Sequence, residues 1–216
     1  MVKRVFLVDF DGTIALSDLA LVTVAKFADK KWEHYEELFN NNKLSLEDTI
    51  TAQYSLIQAP KEIILKEIDN HIKIRDNFTQ FVNYCNELTV PLVIVSGGID
   101  FIIRYVLDKI GISNTVQIVS MITEYQDDGS VKVTQPKRYM NNPTDFKHDL
   151  VLYYKSLGYT VYYIGDGSSD YGAVTDVDLT FTIKNSNLSS FCEQKELNYV
   201  EFDDFKEIPM YLENKG

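Results

Sequence analysis

Cysteine is nearly absent from this 216-residue chain: only Cys85 and Cys192 occur, with no CxxC pair. Two isolated thiols support neither a disulfide framework nor a cysteine-based zinc site, and both are expected in the core. No apolar run approaches the ~20 residues needed to span a bilayer. The run Val5 to Val8 stops at Asp9, too short for the hydrophobic region of a signal peptide. A cytoplasmic protein is the expectation. Positive charge is also scarce, since 21 Lys and Arg against 32 Asp and Glu give a net charge of -11. That balance opposes nonspecific attraction to nucleic acid or an anionic membrane, so an anionic ligand would need local positive charge. Glycine is missing between Ser17 and Ile74, and arginine between Ile14 and Ile74.

What is present begins with 45% hydrophobic residues, enough to pack one domain or a domain with a sizeable insertion. Val5 to Thr13, VFLVDFDGT, is apolar at nearly every position before it meets two aspartates and a glycine. This pattern reads as a buried parallel strand. Asp9 and Asp11 stand two residues apart at its end, on the same side of an extended chain. Gly12 lets the backbone turn there. Two carboxylates at the mouth of a hydrophobic strand repel each other and lose hydration, which a bound cation or a reaction would justify.

The glycine-free stretch after Ile14 carries apolar residues at helical spacing in Leu19 to Phe27, Trp32 to Phe39, Ser45 to Ile57 and Ile63 to Ile68. It predicts a small all-α module over 16–75, inserted into a core formed by 1–15 and 76–216. Ser45 with Asp48 resembles a capping box, and Pro60 suits the start of the last helix. Arg75 to Leu88 reads as an amphipathic helix leading to the strand Pro91 to Val95.

Ser96, Gly97 and Gly98 end this strand before a helix from about Asp100 to Ile110. Free backbone amides at such a turn suit an oxyanion, although a tight connection needs the same residues. Val116 to Ile122 and Val131 to Thr134 flank Asp127-Asp128-Gly129, predicting a hairpin. Thr144 is expected to cap a helix running to Leu157, with Lys147 in its first turn. A cation there is disfavoured by the helix dipole, so an anionic partner would explain it, as would plain solvation; Lys137 is the rival. The strand Thr160 to Ile164 ends in Gly165-Asp166-Gly167-Ser168-Ser169-Asp170, again acidic where ligands bind in open α/β sheets. Leu179 to Ile183 and a strand and helix within Tyr199 to Leu212 complete the pattern. His71 and His148 read as ordinary surface or interface residues, and nothing in the sequence gives either a partner.

These strand ends bring together the ingredients of phosphoryl transfer. Asp9, Asp166 and a backbone carbonyl offer hard oxygen ligands suited to Mg²⁺. One aspartate can attack phosphorus to form an aspartyl-phosphate while its neighbour protonates the leaving alcohol. Serine, lysine and backbone amides can hold the equatorial oxygens.

DFDGT, SGG after a strand, a lysine and GDGSSD, in this order, resemble the motifs of the haloacid dehalogenase superfamily over nearly the whole chain. The resemblance implies an α/β fold, a Rossmann-like three-layer parallel-sheet core with an inserted small all-α (C1-type) cap similar to that of phosphoserine phosphatases. It implies Asp9 as nucleophile and metal ligand, and Asp11 as general acid/base giving its backbone carbonyl to the metal. Ser96, Gly97 and Lys147 would bind the phosphoryl group, Asp166 would ligate Mg²⁺, and Asp170 would support the ligands. Lys73-Ile74-Arg75 through Phe81, Ser96 to Phe101 and Asn198 to Ile208 further resemble bacterial 2-hydroxy-3-keto-5-methylthiopentenyl-1-phosphate phosphatases. The cysteine-rich segment of those enzymes is absent between Lys137 and Lys147. The arginine that would meet a phosphoserine carboxylate is absent too, although Asp18 lies near the position of the glutamate that opens the phosphoserine phosphatase cap. Trp32, His34, Tyr35 and Tyr54 are the cap residues best suited to face a ligand, although an aromatic at helical spacing is more often core.

The expected activity is hydrolysis of a small phosphorylated metabolite by a monomer or homodimer, with no nucleic acid or membrane partner. A dehalogenase would use the first aspartate without needing Asp11 or Mg²⁺. A phosphotransferase or mutase would pass the phosphoryl group to a second substrate, and a catalytically silent binding module would keep only the fold.

Overall fold

Strand β1 (Arg4–Val8) runs through the middle of a seven-stranded sheet in the computed structural model, which describes residues 3–126, 130–141 and 143–214. Its residues from Val5 onward are buried, as an uninterrupted apolar run requires. The remaining strands are β2 (Leu92–Ile99), β3 (Gln117–Tyr125), β4 (Val131–Thr134), β5 (Thr160–Gly165), β6 (Leu179–Ile183) and β7 (Tyr199–Phe202). Their order is β4-β3-β2-β1-β5-β6-β7, parallel throughout except for β4 against β3. The chain therefore builds outward from β1 first on one side and then on the other. The point of reversal lies between β1 and β5, where open α/β sheets form their ligand crevice. This is an α/β, Rossmann-like architecture. The turn expected at Asp127-Asp128-Gly129 lies outside the described residues, but its flanking strands pair antiparallel, from Ile122 opposite Thr134 to Tyr125 opposite Val131.

Four helices separate β1 from the next core element: α1 (Leu19–Phe27), α2 (Trp32–Asn40), α3 (Leu46–Ser55) and α4 (Lys61–Ile68). Ser45 caps α3 by accepting the Asp48 N–H, and Pro60 precedes α4, both as its sequence position suggests. The chain crosses into and out of this segment at adjacent points. Ala15 bridges Ile74, the Leu16 N–H donates to the Lys73 carbonyl, and the Arg75 N–H donates to that of Ile14. Helices α5 (Phe78–Glu87), α6 (Asp100–Lys109), α7 (Phe146–Ser156), α8 (Tyr171–Val174), α9 (Asn187–Gln194) and α10 (Glu207–Glu213) accompany the sheet. Helix α5 packs Phe81 edge-on to Phe6 of β1, 5.0 Å between centroids, and stacks it on Phe205 at 5.5 Å. Cys85 and Cys192 are buried free thiols. Among the described residues no helix is long and apolar enough to cross a membrane.

Three local expectations change. Helix α7 is capped by Asp145 rather than Thr144: the Asp145 carboxylate accepts the His148 N–H at 2.8 Å, and the Thr144 hydroxyl donates to that carboxylate. Either residue type suits the position, and the anion gains more from the helix dipole. Helix α5 starts at Phe78 rather than Arg75, because Asn77 takes a left-handed conformation (φ 59°) and ties its amide to Asp204. Helix α9, capped by Ser186, was not anticipated at all, being eight residues with only Leu188, Ser189 and Cys192 buried.

Arg75, freed from the helix, braces the loop after β1. Its Nε donates to the Thr13 carbonyl and its Nη2 to the Gly12 carbonyl, both at 2.8 Å. Replacing it by methionine removes two charge-assisted hydrogen bonds from that loop. Arg75→Met is expected to lower unfolding free energy by about 1–3 kcal/mol, read from urea denaturation. A variant as stable as the parent would remove Arg75 from this role.

Candidate active site

Strand register sets the site. Val8 stands level with Ile94 of β2 and Ile164 of β5. Asp9 and Asp11, Ser96, and Asp166 thus emerge together at the carboxyl edge of three adjacent strands. The Asp9 N–H still donates to the Ile164 carbonyl at 2.8 Å, so this aspartate is held as an extension of the sheet.

Lys147, from the first turn of α7, reaches this edge with only 1% of its surface exposed. Its ammonium donates to Asp9 Oδ1 at 2.8 Å, Asp170 Oδ1 at 2.7 Å and Ser169 Oγ at 3.0 Å. Burial works against the ammonium, but Asp170 and Asp9 more than reverse the effect and hold its pKa above the usual lysine value. Lys137, by contrast, lies over the Tyr139 ring, 5.2 Å from its centroid. Asp170 is saturated: besides Lys147 its Oδ1 accepts from the Tyr163 hydroxyl at 2.7 Å, and Oδ2 accepts the N–H groups of Asp166 and Gly167.

The other carboxylates are less completely met. Thr13 Oγ1 donates to Asp166 Oδ1 at 2.8 Å, and the Leu19 N–H donates to Asp11 Oδ1 at 2.7 Å. No hydrogen bond from a described residue reaches the second oxygen of Asp9 or Asp166. Burial pushes Asp9 well above the carboxylate range; Lys147 draws it back, while Asp170 and Asp166 add to the rise. Asp11 is pushed up to about 8, by burial and then by Asp18, and Asp166 to about 6, by burial and then by Asp170. Each rise reflects negative charge without a full counter-charge. Carboxylate oxygens of Asp9, Asp166 and Asp170 lie within 4.8 Å of one another, a hard-oxygen donor set that fits a divalent cation. With Asp170 already satisfied, Asp9 and Asp166 have the free oxygens. The Asp11 side chain lies outside this group.

Two glycines permit the crowding. Gly12 has φ +77°, and a Cβ there would meet Asp166 Oδ2 at 2.4 Å; one on Gly98 would meet Asp11 Oδ2 at 2.5 Å. Ser96 is buried, and its Oγ accepts the Gly98 N–H at 2.9 Å, which leaves the hydroxyl hydrogen free to donate.

Above these groups lies a cavity of about 240 Å³, walled on its far side by α1 to α3. Asp18 and Tyr54 line it, and the Tyr54 hydroxyl donates to the Gly97 carbonyl at 2.8 Å. Asp18 also caps α1 through the Leu21 N–H. Trp32, His34 and Tyr35 do not line it. Trp32 is half-buried against the hydrophobic core, and the Tyr35 ring neighbours His34 at 6.0 Å. The Trp32 ring is used for packing rather than for the cavity. Helix α2 instead presents Glu36 and Phe39, and α3 presents Thr49, Ile50 and Gln53. Glu36 accepts from Gln53 Nε2 at 2.9 Å. A glutamate on an amphipathic helix carries no signal that separates it from a solvated face, so these residues escaped notice.

The histidines also differ from expectation. His148 is buried: the Thr144 N–H donates to Nδ1 at 3.2 Å, which leaves Nε2–H to donate to Asp176 at 2.9 Å. His71 stays near the surface, 3.5 Å from Glu67 one turn earlier.

A profile described as haloacid dehalogenase-like hydrolase matches residues 6–175. The chain is 27% identical to the 2-hydroxy-3-keto-5-methylthiopentenyl-1-phosphate phosphatase of Brevibacillus brevis, over 98% of this chain and 96% of the relative. It is 26% identical to polyol phosphate phosphatase PYP1 of Saccharomyces cerevisiae, over 96% and 92% of the two chains. In three dimensions it superposes on a phosphoserine phosphatase solved as a phospho-aspartyl intermediate analogue, with TM-score 0.70 and 19% identity over 98% and 99% of the chains. At that identity the superposition speaks for the fold alone, and the fold is that of a haloacid dehalogenase phosphatase. With the family profile covering most of its length and both sequence relatives aligned nearly end to end, the chain belongs to the haloacid dehalogenase-like hydrolases.

Proposed function

We propose that the chain is a Mg²⁺-dependent phosphomonoesterase that hydrolyses a small phosphorylated metabolite through an aspartyl-phosphate on Asp9. The observation that carries this reading is the state of Asp9, with one oxygen pinned by Lys147 and the other without a hydrogen bond beside Asp166. Asp9 and Asp166 would hold the metal, with the Asp11 backbone carbonyl, and Asp170 would support them. Bound there, Mg²⁺ supplies positive charge that offsets carboxylate repulsion and draws a phosphoryl oxygen.

The free Asp9 oxygen attacks phosphorus in line with the ester oxygen, and the bond to the leaving alkoxide breaks. Asp11, whose raised pKa keeps a proton available near neutrality, gives that proton to the alkoxide. The resulting Asp11 carboxylate then takes a proton from water as the water attacks phosphorus, and inorganic phosphate leaves with Asp9 restored. The Ser96 hydroxyl and the Gly97 N–H hold the equatorial oxygens, and the Lys147 ammonium joins them by exchanging its hydrogen bond to Ser169 for one to a phosphoryl oxygen.

Residues 16–75 act as the cap and 1–15 with 76–216 as the catalytic core, a division supported by the adjacent crossings at Ala15 and Ile74. The cap wall carries Asp18 and Glu36, and among its described residues no arginine or lysine. A leaving group with a second anion would meet two carboxylates and no counter-charge. The two named relatives are a 2-hydroxy-3-keto-5-methylthiopentenyl-1-phosphate phosphatase and a polyol phosphate phosphatase, names that specify no second anionic group. A cytoplasmic location, in line with two unpaired cysteines, and a monomeric or homodimeric state complete the proposal.

Asp9→Asn is expected to lower kcat for p-nitrophenyl phosphate by about a thousandfold or more while circular dichroism stays unchanged. Near-normal hydrolysis by that variant would sink the mechanism. Dialysis against EDTA should abolish release of free phosphate and Mg²⁺ should restore it; activity untouched by the chelator would exclude the metal. Glycerol 3-phosphate and 3-phosphoglycerate differ by a hydroxymethyl against a carboxylate. The first should have the higher kcat/KM by at least about tenfold, and equal values would contradict the reading of the cap wall.

A further inference from the structure

Helix α3 meets the core along one face, through Glu47, Ile50 and Tyr54 at positions i, i+3 and i+7. Ile50 lies over Gly97, close enough that a Cβ there would come within 2.9 Å of its side chain, and Tyr54 donates to the Gly97 carbonyl. Glu47 is different in kind. It is a carboxylate on an inserted helix, yet only 3% exposed. Its Oε1 accepts the backbone N–H of Phe146 at 2.6 Å and a hydrogen bond from the Arg138 guanidinium.

Phe146 is the first residue of α7, where the backbone N–H has no partner within the helix. The capping Asp145 side chain serves the His148 N–H instead. Glu47 therefore supplies the missing acceptor from a segment 99 residues away, and sets its charge at the positive end of the α7 dipole. The next residue along α7 is Lys147. Arg138 is presented by the same helix, because Asp149 accepts the N–H groups of Tyr139 and Met140 at 2.9 and 2.8 Å. Glu47 does not line the cavity, so it has no route to substrate except through what it holds.

We propose that Glu47 is a positioning residue: with Arg138 and the Phe146 N–H it forms a latch that seats α3, and so the cap wall of the cavity, on the helix that carries Lys147. The inference rests on reading that cavity as a phosphate-ester site. Only the seated arrangement offers substrate both walls, so a weaker latch lowers the competent fraction and raises the apparent KM in inverse proportion. Bound substrate restores the seat, so kcat is spared.

The test compares Glu47→Ala, Glu47→Gln, Arg138→Met and the double variant Glu47→Ala/Arg138→Met with the parent, using p-nitrophenyl phosphate with Mg²⁺ and limited proteolysis within residues 16–75. Glu47→Ala should raise KM about tenfold, the weight of one charge-assisted hydrogen bond, with kcat within about twofold. Glu47→Gln, which keeps an acceptor for the Phe146 N–H, should recover part of the loss. The double variant should be no worse than Glu47→Ala, since both changes break one latch. Cleavage within 16–75 should be faster in each variant. A fall in kcat at unchanged KM, additive effects in the double variant, or parent-like KM and cleavage would each overturn the latch. If Glu47→Ala fails to fold, Arg138→Met, altered at a partly exposed side chain, decides by the same two readouts. If the parent shows no Mg²⁺-dependent hydrolysis, the phosphatase reading fails, and cleavage rates alone still decide the latch.

Discussion

The Lys147 ammonium, enclosed between Asp9 and Asp170, is the interaction on which the rest of this structure depends. It joins three segments remote in sequence: the end of β1, the first turn of α7 and the turn after β5. Charges this deep are tolerable only when every polar atom is met, and here the three ammonium hydrogens have three acceptors. Asp170 draws on Tyr163 and two backbone N–H groups to reach the same state. Removing any one member would leave an uncompensated charge at the sheet's carboxyl edge, between buried apolar strands. Only Asp9 keeps an oxygen outside this balance, and that imbalance is what makes it reactive in the proposed mechanism.

The sheet supplies the precision this arrangement needs. Because Val8, Ile94 and Ile164 are in register, the residues that follow them cannot drift along the strands without breaking hydrogen bonds in the buried centre of the sheet. The loops beyond are fixed by small, specific devices: Arg75 forked over two carbonyls, and Gly12 and Gly98 where a Cβ would collide with a carboxylate. The glycine-free insertion reaches the site through side chains of α1 to α3 and through the Leu19 N–H at the start of α1.

Much of this was legible beforehand, for a reason that is physical. An uninterrupted apolar run ending in acids can hardly be anything but a central strand with its ligands at the tip, and that pattern recurs at Val5 to Asp11 and Val161 to Asp170. Helices α1 to α4 announced themselves by apolar spacing over four separate turns of sequence. What escaped was decided by tertiary partners. Arg75 looked like the start of a helix because nothing local says that two carbonyls 62 and 63 residues away are waiting for it. Nothing in the sequence separates Glu47 or Glu36 from a solvent-facing glutamate on an amphipathic helix. His148 looked unpartnered because Asp176 lies 28 residues on. Trp32 went to the core, since a large ring has a stronger claim on packing than on a polar cavity.

A clean separation, with chemistry in the core and selectivity in the insertion, does not survive at Asp11. Its Oδ1 accepts the N–H of Leu19, the first residue of α1, while its Oδ2 faces Gly98 of the core. The group proposed to transfer the proton is therefore also an acceptor at the start of the insertion's first helix, and Asp18, which caps that helix, contributes to its raised pKa. Any shift of α1 alters the hydrogen bonding and the charge that Asp11 feels. Proton transfer and the seating of the insertion are thus coupled through one carboxyl group, two residues beyond the nucleophile in the same DFDGT motif.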